Sequence, residues 1–201
     1  DLSMQRNHAA LLRLLEAGVR VRYVDHHKVD QVPAHAALQA CIDTDARVCT
    51  SLLMDRLLEG RFRPWALVGA YGDNLGAVAD ALADGLGLDA SEREQLCRLG
   101  EGINYNAYGD DASDQHIAPQ LLYARLVQHA HPLELLRQDS IGSELDALRR
   151  ADLRQALAQP MQAAGGGARW VCLPDAAWAR RVIGSFANTL AAGEPARIAG
   201  I

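Results

Sequence analysis

Val19-Arg20-Val21-Arg22-Tyr23-Val24-Asp25-His26-His27 carries the strongest structural signal in this chain. Val19 to Val24 reads as a strand, and Asp25-His26-His27 then sets a carboxylate and two adjacent histidines at its C-terminal lip. Such residues are poor packing material and good metal chemistry: imidazole is a common ligand of first-row metals, and nearby carboxylates complete a mixed N/O site. In open α/β sheets, ligands and reacting groups gather outside the carboxyl ends of the strands. The plain alternative is a solvated turn that happens to hold two histidines.

Upstream, Met4 to Ala17 reads as a helix with apolar positions Ala9, Leu11, Leu12, Leu14 and Leu15, closed by Gly18. Asp1 stands just before it. The order is therefore a strand end, a crossover helix and a second strand. Right-handed crossovers put consecutive parallel strand ends on one edge of the sheet, so Asp1 and His26 are expected to meet there. Downstream, the apolar run from Trp65 stops at Gly72-Asp73-Asn74 and offers Asp73 as a third ligand in a turn.

In order and separation these residues resemble the DHH phosphoesterase superfamily, which includes RecJ-type exonucleases, oligoribonucleases, cyclic-dinucleotide phosphodiesterases, exopolyphosphatases and one class of inorganic pyrophosphatase. Three of its four motifs are matched, over roughly the first half of the chain. The second is an aspartate at a strand end (Asp1). The third is Asp25-His26-His27, followed by Pro33 and a helix opening at Thr50. The fourth is Gly69 with Asp73 four positions on. The resemblance implies that Asp1 bridges two divalent metals, Mn²⁺ or alternatively Mg²⁺, with His26 and Asp73 completing the shell of one. It implies that His27 faces the phosphate and that Asp25 orients the histidine pair. Paired metals about 3.5–4 Å apart activate a water and stabilise the attacking and leaving oxygens in an in-line displacement at phosphorus. The family's first motif, an Asp-x-Asp after a strand, is missing. With no initiator methionine ahead of Asp1, the chain is expected to be a fragment of a longer protein, holding one metal weakly and turning over little by itself.

Composition suits a globular domain: 201 residues, 49% hydrophobic, and no apolar stretch near the roughly 20 residues of a membrane span. No basic-then-apolar leader follows Asp1. Cys41, Cys49, Cys97 and Cys172 form no Cys-x-x-Cys pair and read as reduced thiols of a cytoplasmic protein, although a thiol metal site or disulfide at Cys41 and Cys49 is an alternative. A formal charge of -5 argues against duplex nucleic acid and leaves a phosphorylated small molecule or a short single strand as partner. Asn74 and Arg180 are the candidate substrate-binding residues. Arg61, Arg63 and Arg181 are further basic positions, for each of which solvated surface is the plainer reading. A homo-oligomer is compatible with the sequence.

Helices are expected at Cys49 to Glu59 with Thr50 as cap, Gly76 to Leu86, Ser91 to Gly100 with a Ser91/Glu94 capping box, Ala118 to Gln128, Pro132 to Gln138 and Ile141 to Ala158. Asn104 to Asp111 reads as a loop, either a polar lid near the metals or a turn with half-buried tyrosines. His116, His129 and His131 read as surface or helix-end residues. Gly165-Gly166-Gly167 marks a joint. After it come a strand from Arg169 to Leu173 and a helix from Asp175 to Ala191 capped by the aspartate.

The expected architecture is α/β, a mostly parallel sheet flanked by helices over residues 1–160, lacking its first strands and so helix-rich. A Gly-rich linker at 161–168 then leads to the start of a smaller C-terminal substrate-binding α/β domain at 169–201. The expected activity is metal-dependent hydrolysis of phosphodiester or phosphoanhydride bonds in nucleotides or short single-stranded oligonucleotides. The alternatives are a non-catalytic metal- or nucleotide-binding regulatory module on the same fold, and a purely structural helical domain in which the motifs are coincidental.

Overall fold

A computed structural model describes residues 2–164 and 168–193. It is an α/β structure, helix-rich, with a two-stranded parallel sheet. The chain divides into two compact units, Asp1–Cys97 and Arg98–Ile201. No helix among the described residues is long and apolar enough to cross a membrane.

The first unit opens with α1 (Met4–Glu16). Ser3 caps it by accepting a hydrogen bond from the Arg6 backbone N–H. Its end is a left-handed glycine turn: Gly18 has φ +77°, its N–H reaches the Leu15 carbonyl and that of Val19 the Leu14 carbonyl. Met4, Leu11 and Leu15 form the buried stripe of α1 and pack against Val21, Tyr23, Leu38 and Ile42 of the sheet. That sheet is β1 (Val21–Asp25) beside β2 (Leu38–Ile42), parallel, in register from Val21 opposite Leu38 to Asp25 opposite Ile42. The strand before α1 that was expected to end at Asp1 falls outside the described residues.

Four helices follow: α2 (Thr50–Leu57), α3 (Arg63–Gly72), α4 (Gly76–Asp84) and α5 (Ala90–Asn106). Cys49, not Thr50, holds the cap position of α2, and no side chain caps it. The capping box of α5 lies two residues earlier than expected: Asp89 accepts from the Glu92 N–H at 2.8 Å while Glu92 accepts from the Asp89 N–H at 3.0 Å.

Helices α2 and α3 pack closely at a glycine. A methyl on Gly69 would stand 2.0 Å from Ser51 Oγ and 2.4 Å from Ser51 Cβ, too near for a rotamer change alone to relieve. Gly69→Ala is therefore expected to cost about 1–3 kcal/mol, because the helices must part. Gly76→Ala, where an added methyl meets nothing within 4 Å, is the control. Equal unfolding midpoints for the two variants would remove the packing argument.

In the second unit, the rest of α5 is joined by α6 (Pro119–Leu126), α7 (Pro132–Gln138), α8 (Ile141–Leu157), an antiparallel pair β3 (Gln162–Ala164) and β4 (Ala168–Trp170), and α9 (Ala177–Gly193). Ala156 of α8 packs with Val171, Val182 and Phe186 in a buried cluster that takes in Leu153, Trp178 and Leu190. Two expectations need correction here. Asn104 to Asn106 are helical, not loop, and Tyr105 is 1% exposed, not half-buried. Asp175 does not begin α9; its carboxylate pairs with Arg180 instead. The triple glycine lies outside the described residues, and the chain on either side of it pairs as β3 and β4.

Candidate metal centre

Asp25 is the last residue of β1, and its side chain points inward and is fully buried. The next two residues leave the strand at the sheet's C-terminal end, so the motif sits where the parallel pair terminates. His27 Nδ1 lies 2.7 Å from Asp25 Oδ1, and His26 Nδ1 lies 3.0 Å from the backbone carbonyl oxygen of Val48. The two imidazoles stand 4.8 Å apart, tilted by 59°. A carbonyl oxygen carries no proton and an ionised carboxylate none either, so both Nδ1 atoms donate. Each neutral ring then has its lone pair on Nε2. Fixing the tautomer through the other nitrogen is the usual way a protein aims a ligating histidine.

Asp73 is the residue that closes α3, and its N–H bonds to the Gly69 carbonyl at 3.0 Å. The Gly69-to-Asp73 spacing is thus one helical turn, with the glycine seating the helix and the aspartate at its end. Asp73 Oδ2 comes within 3.8 Å of His26 Nδ1. Burial pushes the Asp73 carboxyl above the ordinary carboxylate range, against the pull of His26 and His27. The Asp25 carboxyl goes the other way. Burial raises it, but the hydrogen bond from His27 and the backbone N–H groups of His27 and His26 outweigh that, and it stays below its usual value. Those amides act on it through their dipoles; by hydrogen-bond geometry Oδ2 has no partner among the described residues. Cys49 completes the surroundings as a buried thiol whose pKa is pushed up by burial, only partly offset by the Leu52 N–H, with the Asp73 carboxylate adding to the rise.

The structure brings together Asp25, His26, His27 and Asp73. Asp1, the remaining expected ligand, lies outside the described residues. Among the described residues no three His, Cys, Asp or Glu side chains gather closely enough to hold a metal ion. What is present fits a hard divalent cation in kind: imidazole nitrogen and carboxylate oxygen, with histidines oriented from behind. All four cysteines are free thiols.

The two candidate substrate residues are placed differently. Asn74 follows Asp73, exposed and left-handed at φ +60°. Arg180 belongs to the second unit, where its guanidinium grips Asp114 at 2.8 and 2.7 Å and also pairs with Asp175.

A second polar cluster has no counterpart in the sequence reading. Tyr105, Asp152 and Arg181, all buried, share hydrogen bonds, and His116 Nε2 lies 3.0 Å from the Tyr105 hydroxyl. Burial, with the Asp152 carboxylate, pushes the Tyr105 phenol far above its ordinary range. Burial and the Arg181 charge hold His116 below its ordinary value, against the pull of Asp152. The sequence signal was faint: Asp152 sits on α8 amid other charged residues, and its burial depends on Arg181 from another helix.

Comparison of the chain with protein-family models, with curated proteins and with solved structures finds no match.

Proposed function

We propose that this chain carries one side of the metal centre of a divalent-metal-dependent phosphoesterase of the DHH class. Its substrates are phosphodiesters or phosphoanhydrides of nucleotides or short single-stranded oligonucleotides. The observation that supports this most is the buried Asp25 carboxylate holding His27 at 2.7 Å at the end of a parallel strand, with Asp73, from a separate helix, 3.8 Å from the Nδ1 edge of the adjacent His26 ring. Residues 47 positions apart converge there, which a solvated turn does not require.

His26 and Asp73 would hold the ion, Mn²⁺ or Mg²⁺, with Asp1 as the further ligand. When bound, such an ion supplies Lewis acidity to a phosphoryl oxygen and neutralises developing negative charge. The chain's own contribution is orientation. Asp25 keeps the proton of His27 on Nδ1, so Nε2 is the atom presented to a phosphate oxygen, as donor when the ring is protonated. The Val48 carbonyl does the same for His26, and the seat of Gly69 against Ser51 sets the position of Asp73.

Calorimetric titration with Mn²⁺ tests the reading. Wild-type chain is expected to bind, and His26→Ala and Asp73→Ala are each expected to weaken binding by tenfold or more, in the range seen for loss of a supporting group or ligand (about 10–100-fold). Equal affinity in all three proteins, or none in the wild type, would overturn it.

A further inference from the structure

Between α5 and α6, residues 107–118 form no helix or strand and lie mostly exposed. What holds them down is mainly polar. The Asn106 side chain bonds both backbone groups of Ile117, and the Asp114 carboxylate is gripped by Arg180 at 2.8 and 2.7 Å. Arg181 donates to the Asp114 carbonyl, and His116 Nε2 lies 3.0 Å from the Tyr105 hydroxyl. Closure also leaves Gln115 Oε1 shut off from water with no hydrogen-bond partner among the described residues, which is unfavourable. A span held by hydrogen bonds and charges against that cost opens more readily than the packed helices beneath it.

The placement of protons decides how His116 responds to acid. The Tyr105 hydroxyl gives its one proton to Asp152, so its oxygen can only accept, from Arg181 Nε and from His116 Nε2. Neutral His116 therefore carries its proton on Nε2. A second proton goes to Nδ1, which has no acceptor among the described residues. The charges facing the ring are paired without it. Asp152 from α8 is paired with Arg181 from α9, and Asp114 of the segment itself with Arg180 from α9. Tyr105 from α5, its phenol pushed far up by burial, stays neutral. Asp110 and Asp175 also touch Arg180, but both stand almost wholly in water, which screens them. An imidazolium is thus a surplus positive charge beside Arg181. Asp152, 3.5 Å from the ring, is already engaged by that guanidinium, and burial with the Arg181 charge holds His116 below its ordinary value. The ring is 21% exposed, so a proton reaches it while the cluster is intact.

We infer that residues 107–118 are an acid-released strap: a proton on His116 Nδ1 detaches this segment from Tyr105 and α9 while α8 and α9 stay folded. The closed segment prefers the neutral ring, so closure is at full strength above a pH of about 6.5 and weakens below it. The inference is independent of the phosphoesterase reading, since it needs neither a metal nor turnover.

Hydrogen–deuterium exchange of the full chain, followed by NMR at about pH 7.5 and about pH 5.5 and corrected for intrinsic rates, reads the opening. The amides to watch are Ile117 and Asp110, which bond to Asn106 Oδ1 and Asp114 Oδ2. Their protection is expected to fall several-fold at the lower pH, with about tenfold as the ceiling set by a free histidine pKa near 6.5. At both pH values it is expected to be at least about tenfold below that of amides in the middle of α8 and α9, because the strap opens without them. His116→Gln keeps an N–H for Tyr105 and cannot take a proton, so it is expected to lose the pH step, its fold being checked by circular dichroism. Titration of the His116 ring in the wild type needs no variant and is expected to give a pKa below about 6.5. Equal strap protection at the two pH values, protection equal to that of α8 and α9, the same step in folded His116→Gln, or a ring pKa at or above the free value would each overturn the proposal.

Discussion

Arg181→Met is expected to destabilise the second compact unit by roughly 3–5 kcal/mol, the usual consequence of stripping one partner from a buried ion pair. Arg181 is 8% exposed and makes several contacts at once. Nε donates to the Tyr105 hydroxyl at 3.1 Å and to Asp152 at 2.9 Å, Nη2 pairs with Asp152 at 2.8 Å, and Nη1 donates to the Asp114 carbonyl. Methionine fills much of the volume and supplies none of these bonds, leaving a buried carboxylate without its counter-charge. His116, 3.5 Å from Asp152, is the nearest replacement cation.

In the wild type His116 is held below its ordinary value, so the folded state prefers it neutral and loses stability as pH falls through the unfolded histidine range, near 6.5. Without Arg181 the repulsion on His116 is gone and the pull of Asp152 remains. The deficit of the variant should therefore narrow from about pH 8 to about pH 5.5. Urea unfolding at the two pH values measures this, with Arg181→Met combined with Asp152→Asn as a partner variant expected to recover part of the loss. A single variant as stable as wild type at both pH values would show that the cluster carries little of the fold.

The second large effect concerns Asp25→Asn. The amide keeps the size of the side chain and removes the charge that fixes the His27 proton on Nδ1. Where a buried carboxylate orients a working histidine, this change lowers turnover by up to about 10⁴-fold through the wrong tautomer. On the proposed phosphoesterase reading, a loss of about 10²–10⁴-fold in phosphodiester hydrolysis is expected, with a stability loss of only about 1–3 kcal/mol for the charge-assisted bond. The acid side has a definite sign. Asp25 is held below its usual value, so its contribution is present above the unfolded carboxylate pKa of about 3.9 and is lost as pH falls through the lower folded value. The variant should lack that part of the acid transition. Ring ¹⁵N shifts of His27 give the structural readout. Retention of the Nδ1–H form together with unchanged hydrolysis would defeat the orienting role.

Much of the local structure was legible because it is local. Helix α1 stops at Glu16 and is closed by the left-handed turn at Gly18, and α7 runs from Pro132 to Gln138 as read. The elements that escaped depend on distant partners. Strand β2, Leu38–Ile42, is five residues long and exists by pairing with β1 across residues 26–37. The run from Trp65 to Tyr71 hides its helix because Ala66, Leu67, Val68, Ala70 and Tyr71 are all buried, and a segment apolar on every side has no visible period. Asn104-Tyr105-Asn106 carries turn chemistry, yet Asn106 bonds to both backbone groups of Ile117 and Tyr105 reaches Asp152, which hold the helix to its end. At the site, Asp25, His26 and His27 were visible from their position at a strand end. Asp73 was offered by the end of the apolar run from Trp65, but its approach to His26 is set by how α2 and α3 pack, which no local pattern shows.

The parallel pairing of β1 with β2 also bears on the order in which this unit assembles. Parallel strands joined by residues 26–37 cannot pair before that stretch closes, whereas α2 and α3 are neighbours in the chain and meet almost at once. Helical content should thus appear during refolding ahead of the sheet end that carries His26 and His27. The two halves of the candidate site, His26 with His27 and Asp73, then come together among the last contacts to form. An occupant of that centre would therefore act as a latch, prolonging the life of the folded unit by slowing its unfolding while leaving the speed of folding nearly untouched.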